Sequence, residues 1–424
     1  MGWISSTENN KWFEENNYSD KKGIEIVIGE EKGKPLYGFG ACLSELGVKA
    51  ISELPQEIKK LVYDDFFGED ACGFSFCRLS IGANDFGESW YSYNETENDY
   101  EMCNFTIERD KKYIIPAIKE AQKRSKQLSF FASPWSPPTW MKFPKVYNHG
   151  RFVMNPDNLK AYALYFRKYL EAYEQEGIKI SQIHVQNEIF ADQKFPSCVW
   201  DGADLVTFIS EYLLDEIGDK TEVWYGTING PEESHLLTSR HNQFLNLLMQ
   251  NEKCLKYVKG ASYQWAGKFG ILQAEEDYPE LNTINSEWEC GDGQNTWTYA
   301  MYGFEMFRHY FSHGARACVY WNIALDERGM STWGWPQNSL INIIGDKVVY
   351  NPDYYMVKHY SYFVKKGAVM LNTKSSFNTN VAVFRNPDGK KIAVIMNPFE
   401  EDKIVTIEGK NYILKPRSFN SIVL

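Results

Sequence analysis

The sequence predicts an α/β fold: a (β/α)8 TIM barrel with a small antiparallel β-sandwich side domain built from both termini. Three observations predict it. Strand-like and helix-like segments alternate from about Leu36 to Val364, the pattern of parallel βα units. Eight such units can be counted, the number that closes a barrel. Past residue 366 the pattern changes to short alternating strands divided by turn residues. The 424 residues are long enough for both parts. The expected division is 1–33 for the N-terminal share of the side domain, 34–365 for the barrel and 366–424 for the rest of the side domain.

The first strand is predicted at Leu36–Ala41, followed by a helix over Pro55–Phe67 with Ile58, Leu61, Val62 and Phe66 at helical spacing. The second strand is Phe74–Ile81 and its helix Lys112–Ser125. The third strand is Leu128–Ala132. Asn155-Pro156-Asp157 opens a helix to Glu176, with Asn as cap and Pro at the first helical position. The remaining strands are Ile183–Gln186, Glu222–Thr227, Gly260–Tyr263, Leu281–Asn285 and Ala317–Trp321, and the last helix is Asp353–Lys365. In the C-terminal part, strands are predicted at Val381–Arg385, Lys391–Met396, Lys403–Ile407 and Phe419–Val423. Gly23–Gly29 is strand-like but lies outside the barrel count, so it is expected to pair with them.

Two glutamates end barrel strands. The fourth strand runs into Asn187-Glu188, and the seventh into Ser286-Glu287. Strand tips converge at one mouth of a βα barrel, where catalytic groups sit. Two carboxylates from different strand tips are what a glycosidase needs. Aromatic content of 16% suits the C–H faces of sugars, although aromatic residues also serve as core.

The formal net charge is -11 and no basic stripe is present, which argues against nucleic acid as a partner. No run approaches the length of a membrane span, so no membrane insertion is expected. Met1 to Gly23 is polar and lacks an apolar core, so a cytoplasmic location is expected unless a leader has been removed. The 8 cysteines are scattered without ligand spacing, and reduced thiols, mostly buried, are expected. The 7 histidines are not paired at ligand spacing; His149, His184, His235 and His313 read as structural or solvated. No metal and no cofactor is expected. Cys290 has no partner base in the sequence and is not read as a nucleophile. Gly291-Asp292-Gly293 lacks the strand–helix context of a dinucleotide fingerprint and is read as shaping the loop after Glu287. Oligomeric state is not legible.

Several segments resemble glycoside hydrolase family 30, the glucosylceramidase-like and endo-β-1,6-glucanase-like glycosidases. They are Gly38-Phe39-Gly40-Ala41, Arg78-Leu79-Ser80-Ile81-Gly82 with Asp85-Phe86, and the long stretch Ala132-Ser133-Pro134-Trp135-Ser136-Pro137-Pro138-Thr139-Trp140-Met141-Lys142. Gln186-Asn187-Glu188, Ser286-Glu287, Tyr320 to Glu327 and Trp333 to Ser339 complete the set. The resemblance implies a retaining β-glycosidase, with Glu188 as acid/base and Glu287 as nucleophile. It implies that Asn187 meets the sugar 2-hydroxyl, Arg78 clamps Glu287, Asp85 accepts sugar hydroxyls, and Trp135 and Trp321 wall the glycone pocket, with Trp333 on the loop after strand eight a further substrate contact. Two departures stand out. Tyr263-Gln264-Trp265-Ala266 lacks the His-x-Tyr of relatives, leaving Gln264 or Tyr263 to bond the nucleophile, and Ile189 replaces the usual Pro. The expected substrate is a β-linked glucoside or short oligosaccharide, cleaved from its end. The alternatives are an endo-β-1,6-glucanase, an exo-enzyme on xylosides, fucosides or galactosides, and an inactive sugar-binding protein.

Overall fold

The computed structural model describes residues 2–229, 245–288 and 290–424; His235 lies outside them. Its barrel strands are Gly38–Cys42, Phe76–Ile81, Ser129–Pro134, Ile180–His184, Glu222–Trp224 continued by Thr227–Ile228, Gly260–Gln264, Asn282–Glu287 and Ala315–Asn322. Each pairs in parallel with the next, and the eighth returns to the first through Ala317↔Gly38 to Asn322↔Cys42. Helices Gln56–Phe67, Ile114–Arg124, Pro156–Gln175, Trp297–Ser312 and Pro352–Ser361 cover the outside. Asn155 caps the third of these with its side chain on the Asn158 amide, and Pro156 stands at its start.

The fifth strand is split, which the sequence did not suggest. Its first half pairs with the fourth strand and its second half with the sixth. Gly226 lies at the break with φ +151, and a Cβ there would meet the Gln186 carbonyl oxygen at 2.9 Å. Only glycine fits that approach. The fourth strand also sits earlier than predicted, ending at His184. Glu188 is therefore on the turn beyond it, tied to the fifth strand by the Asn187↔Thr227 bridge. A run of apolar residues through Ile183 and Val185 hid that boundary, because both are fully buried whichever element holds them.

Inside the barrel, Phe76, Phe131, Trp224, Ile284, Ala317 and Val319 fill the floor. His184 stacks on Trp224 at 4.9 Å and bonds Ser262 and Gln182, so it is a structural histidine. His149 and His313 each face a carboxylate, Asp192 and Glu275. Among the described residues no disulfide joins two cysteines, and all but Cys103 are buried.

The side sheet has nine strands and draws on both termini. Ile24–Lys32 pairs with Val369–Lys374 on one side and, in parallel, with Lys403–Ile407 on the other. Trp3–Thr7, Phe13–Glu15, Val369–Lys374 and Lys410–Leu414 are strands beyond those predicted. The sheet folds over its own core, so that Trp3 near one edge packs on Tyr412 at the other, with ring centroids 5.3 Å apart. It docks on the last two barrel helices, where buried His359 bridges Ser6 and Ser421 at 2.9 and 2.8 Å.

Candidate active site

The seventh strand ends on Glu287, whose side chain turns into the barrel mouth and is 4% exposed. Arg78, on the second strand, is fully buried, and its Nη1 donates to Glu287 Oε2 at 2.6 Å. Its Nη2 donates to Asn187 Oδ1 at 2.6 Å and to Ser133 Oγ at 2.9 Å. A buried guanidinium demands such partners, because a lone buried charge costs several kcal/mol. Trp135 lies over the guanidinium at 4.5 Å and Trp321 at 5.5 Å.

Gln264 ends the sixth strand. Its Nε2 donates to Glu287 Oε2 at 2.9 Å and to Asn187 Oδ1 at 2.8 Å. Tyr263 alternates to the outside of the barrel, beside Gly270. Thr227 Oγ1 adds a third neutral contact on this side, donating to Asn187 Oδ1 at 2.9 Å. Asn187 Oδ1 thus accepts from Arg78, Gln264 and Thr227 together. The amide is fixed with its oxygen inward and its nitrogen left to donate elsewhere.

Glu188 has φ +48, a left-handed conformation that disfavours L side chains. Two bonds hold it: its N–H reaches Thr227 O at 3.0 Å and Thr227 Oγ1 at 3.1 Å. Among the described residues, the carboxyl takes hydrogen bonds from the neutral amides of Asn229 and, at 3.4 Å, Gln193. Burial first, and then the negative charge of Glu287, push Glu188 above the ordinary glutamate range. Burial also raises Glu287, but Arg78 opposes it directly. Of the two, Glu188 is the carboxyl that keeps its proton, since the cation sits on the other.

Asp85, on the loop after the second strand, is buried at 4% exposure. Burial, with Glu188 nearby, pushes its carboxyl up to about 7, against hydrogen bonding from Gln337. Trp135 and Trp321 stack at 5.5 Å and an interplanar angle of 30°. With Phe86, Phe195, Leu325 and Cys290 they form an apolar cluster at the mouth. Trp333, half-buried on the loop after the eighth strand, packs on Phe195 with centroids 5.9 Å apart. Cys290 Sγ is 3.9 Å from Glu287 Oε1. The Gly291 turn shapes this loop: at φ +70, a Cβ would strike the Asn338 amide at 2.4 Å.

The structure therefore gathers Arg78, Asp85, Trp135, Asn187, Glu188, Gln264, Glu287, Trp321 and Trp333 around one mouth. Sequence reasoning missed Thr227, Ser133, Gln193, Asn229 and Phe195. Ser133 lies inside the Ala132 to Lys142 stretch. Thr227 stood at a strand end, which was its only signal, and Gln193 and Phe195 had none. Among the described residues there is no group of three His, Cys, Asp or Glu side chains arranged to hold a metal ion. No described helix is long and apolar enough to cross a membrane.

Residues 36–211 match the glycosyl hydrolase family 30 TIM-barrel domain. The chain is 26% identical to the lysosomal acid glucosylceramidase of Mus musculus, over 89% of this chain and 78% of that protein. It is 24% identical to the endo-1,6-β-D-glucanase of Neurospora crassa, over 88% and 81%. Among solved structures, SrfJ from Salmonella typhimurium shares the fold with a TM-score of 0.88 at 20% identity, covering 100% of this chain and 99% of that one. An endo-β1,6-glucanase shares it with a TM-score of 0.87 at 24% identity, covering 99% and 98%.

Proposed function

We propose, from the match of residues 36–211 to the glycosyl hydrolase family 30 TIM-barrel domain, that the protein is a retaining β-glycosidase for β-linked glucosides or short glucosyl oligosaccharides. Glu287 is the nucleophile and Glu188 the acid/base. The observation that carries the assignment of roles is the Arg78 guanidinium 2.6 Å from Glu287, set against a Glu188 whose hydrogen bonds, among the described residues, come from the amides of Asn229 and Gln193. A cation beside a carboxylate keeps it ionised and able to attack; burial without a cation keeps a carboxyl protonated and able to donate.

The cycle follows from these environments. Glu287 attacks the anomeric carbon as the bond to the leaving oxygen breaks, and Glu188 passes its proton to that oxygen. Glu287 becomes a neutral glycosyl ester. The negative charge that held Glu188's pKa up is then gone, so Glu188 ionises more readily. It takes a proton from water, the water oxygen bonds the anomeric carbon, and the ester bond to Glu287 breaks. Asn187, with its oxygen held by three donors, offers its nitrogen to the sugar 2-hydroxyl, a contact that strengthens as charge develops on the ring.

The test is turnover of an aryl β-glucoside with azide rescue. Glu188→Gln should still release the aryl group, accumulate the ester and be rescued by azide as the β-glycosyl azide. Glu287→Gln should be inactive. A β-glycosyl azide from the Glu287 variant, with an α-azide from the Glu188 variant, reverses the roles. Sugar binding by the native protein without any turnover replaces the enzyme with a sugar-binding protein.

A further inference from the structure

Four loops at the barrel mouth are stitched to one another in sequence. The loop after the eighth strand bonds the loop after the second: Thr332 N donates to Asp85 O at 3.0 Å and Thr332 Oγ1 to Gly87 O. The loop after the second strand bonds the loop after the third, through Trp140 Nε1 to Asn94 O at 3.0 Å and Thr139 N to Glu95 Oε1 at 3.2 Å. The loop after the third bonds the loop after the fourth. Lys142 Nζ, on a buried side chain, donates to Ser197 O at 2.6 Å, and Ser197 N donates to Tyr147 O at 3.0 Å. The last contact returns to the start: Phe195, after the fourth strand, packs on Trp333, after the eighth.

That last contact has a topological meaning. In a closed barrel of eight, strands four and eight are diametrically opposite, so Phe195 and Trp333 meet across the mouth. The four contacts form a ring over strands eight, one, two, three and four, the half that holds Asp85, Trp135 and Trp321.

We infer that this ring is the specificity device of the site: it makes the glycone pocket a dead end and restricts cleavage to the terminal sugar of a chain. On this reading, a saccharide whose terminal ring lies between Asp85 and the Trp135–Trp321 pair is stopped where Thr332 bonds Asp85 and Gly87. It extends past the scissile bond only away from the ring. Phe195, Thr332 and Trp333 are the residues that decide this. The inference rests on the glycosidase reading above and adds the mode of attack, terminal rather than internal.

The experiment uses β-1,3-, β-1,4- and β-1,6-linked glucotetraoses labelled at the reducing end, beside an aryl β-glucoside, with the full-length protein. The expected native result is cleavage confined to the aryl glucoside and to non-reducing termini, with single glucose units as the first product. Phe195→Ala combined with Thr332→Val opens the ring, and should raise the early ratio of di- and trisaccharide to glucose by on the order of tenfold, a size that a changed apolar contact can reach. Thr332→Val alone removes one hydrogen bond and serves if the double variant does not fold. Early mixed oligosaccharides from the native protein overturn the inference and leave the glycosidase reading intact. So does an unchanged product ratio in the folded variants. Absence of turnover on every substrate overturns both.

Discussion

Replacing Arg78 by Met tests whether one guanidinium sets the ionisation of Glu287. Arg78 is fully buried, and its substitution removes the 2.6 Å ion pair together with the bonds to Asn187 and Ser133. Removing one partner of a buried pair costs about 3–5 kcal/mol, because the other charge is left behind. Glu287 escapes part of that cost by taking a proton. One pKa unit corresponds to about 1.36 kcal/mol, so the lower figure is equivalent to roughly two units of upward shift. The sign follows: activity requires Glu287 ionised, so the acid limb of kcat/KM should move up by about two units, and on that limb the rate should fall roughly a hundredfold. Arg78→Lys keeps the charge but not the fork that holds Glu287 and Asn187 together. Its acid limb should stay in place, with kcat alone reduced. Initial rates on an aryl β-glucoside, from roughly pH 4 to 9 to bracket the glutamate range, separate the two. A folded, active Arg78→Met protein with an unmoved acid limb would falsify the claim that Arg78 governs the nucleophile.

Native kcat/KM should be bell-shaped in pH. It falls at low pH as Glu287 gains a proton and at high pH as Glu188 loses one. Both groups are raised by burial, so both limbs should lie above about 4.3, the ordinary glutamate pKa; an optimum on the acid side of that value contradicts the burial argument. Asp85→Ala should lower kcat/KM by the worth of a hydrogen bond to a charged acceptor, about 1.5–3 kcal/mol, or roughly ten- to a hundredfold. Because the carboxyl is pushed up to about 7, the deficit should grow as pH rises through neutrality, when the native Asp85 ionises. A deficit independent of pH would remove Asp85 from direct contact with the sugar.

The alternation of strands and helices was enough to specify the barrel, because each strand is buried on both faces and reads as an apolar run whatever its neighbours. Turn residues marked the side domain for the same local reason. Glu188 and Glu287 were legible as carboxylates at strand ends, where an apolar run stops at a charge. The split of the fifth strand was not legible: Gly226 breaks it only because the Gln186 carbonyl comes within 2.9 Å of where its Cβ would be, an approach between two strands. The sequence does not choose between Gln264 and Tyr263; the alternation of side chains in the folded strand does, aiming Gln264 inward at Glu287. The Phe195–Trp333 contact joins residues 138 positions apart. No local pattern encodes it, since it exists only once closure of the barrel has placed strands four and eight on opposite sides of one mouth. The sequence determined which chemistry the chain carries; the tertiary structure decided how the two carboxyls differ and how the pocket is bounded, because both depend on groups that only folding brings together.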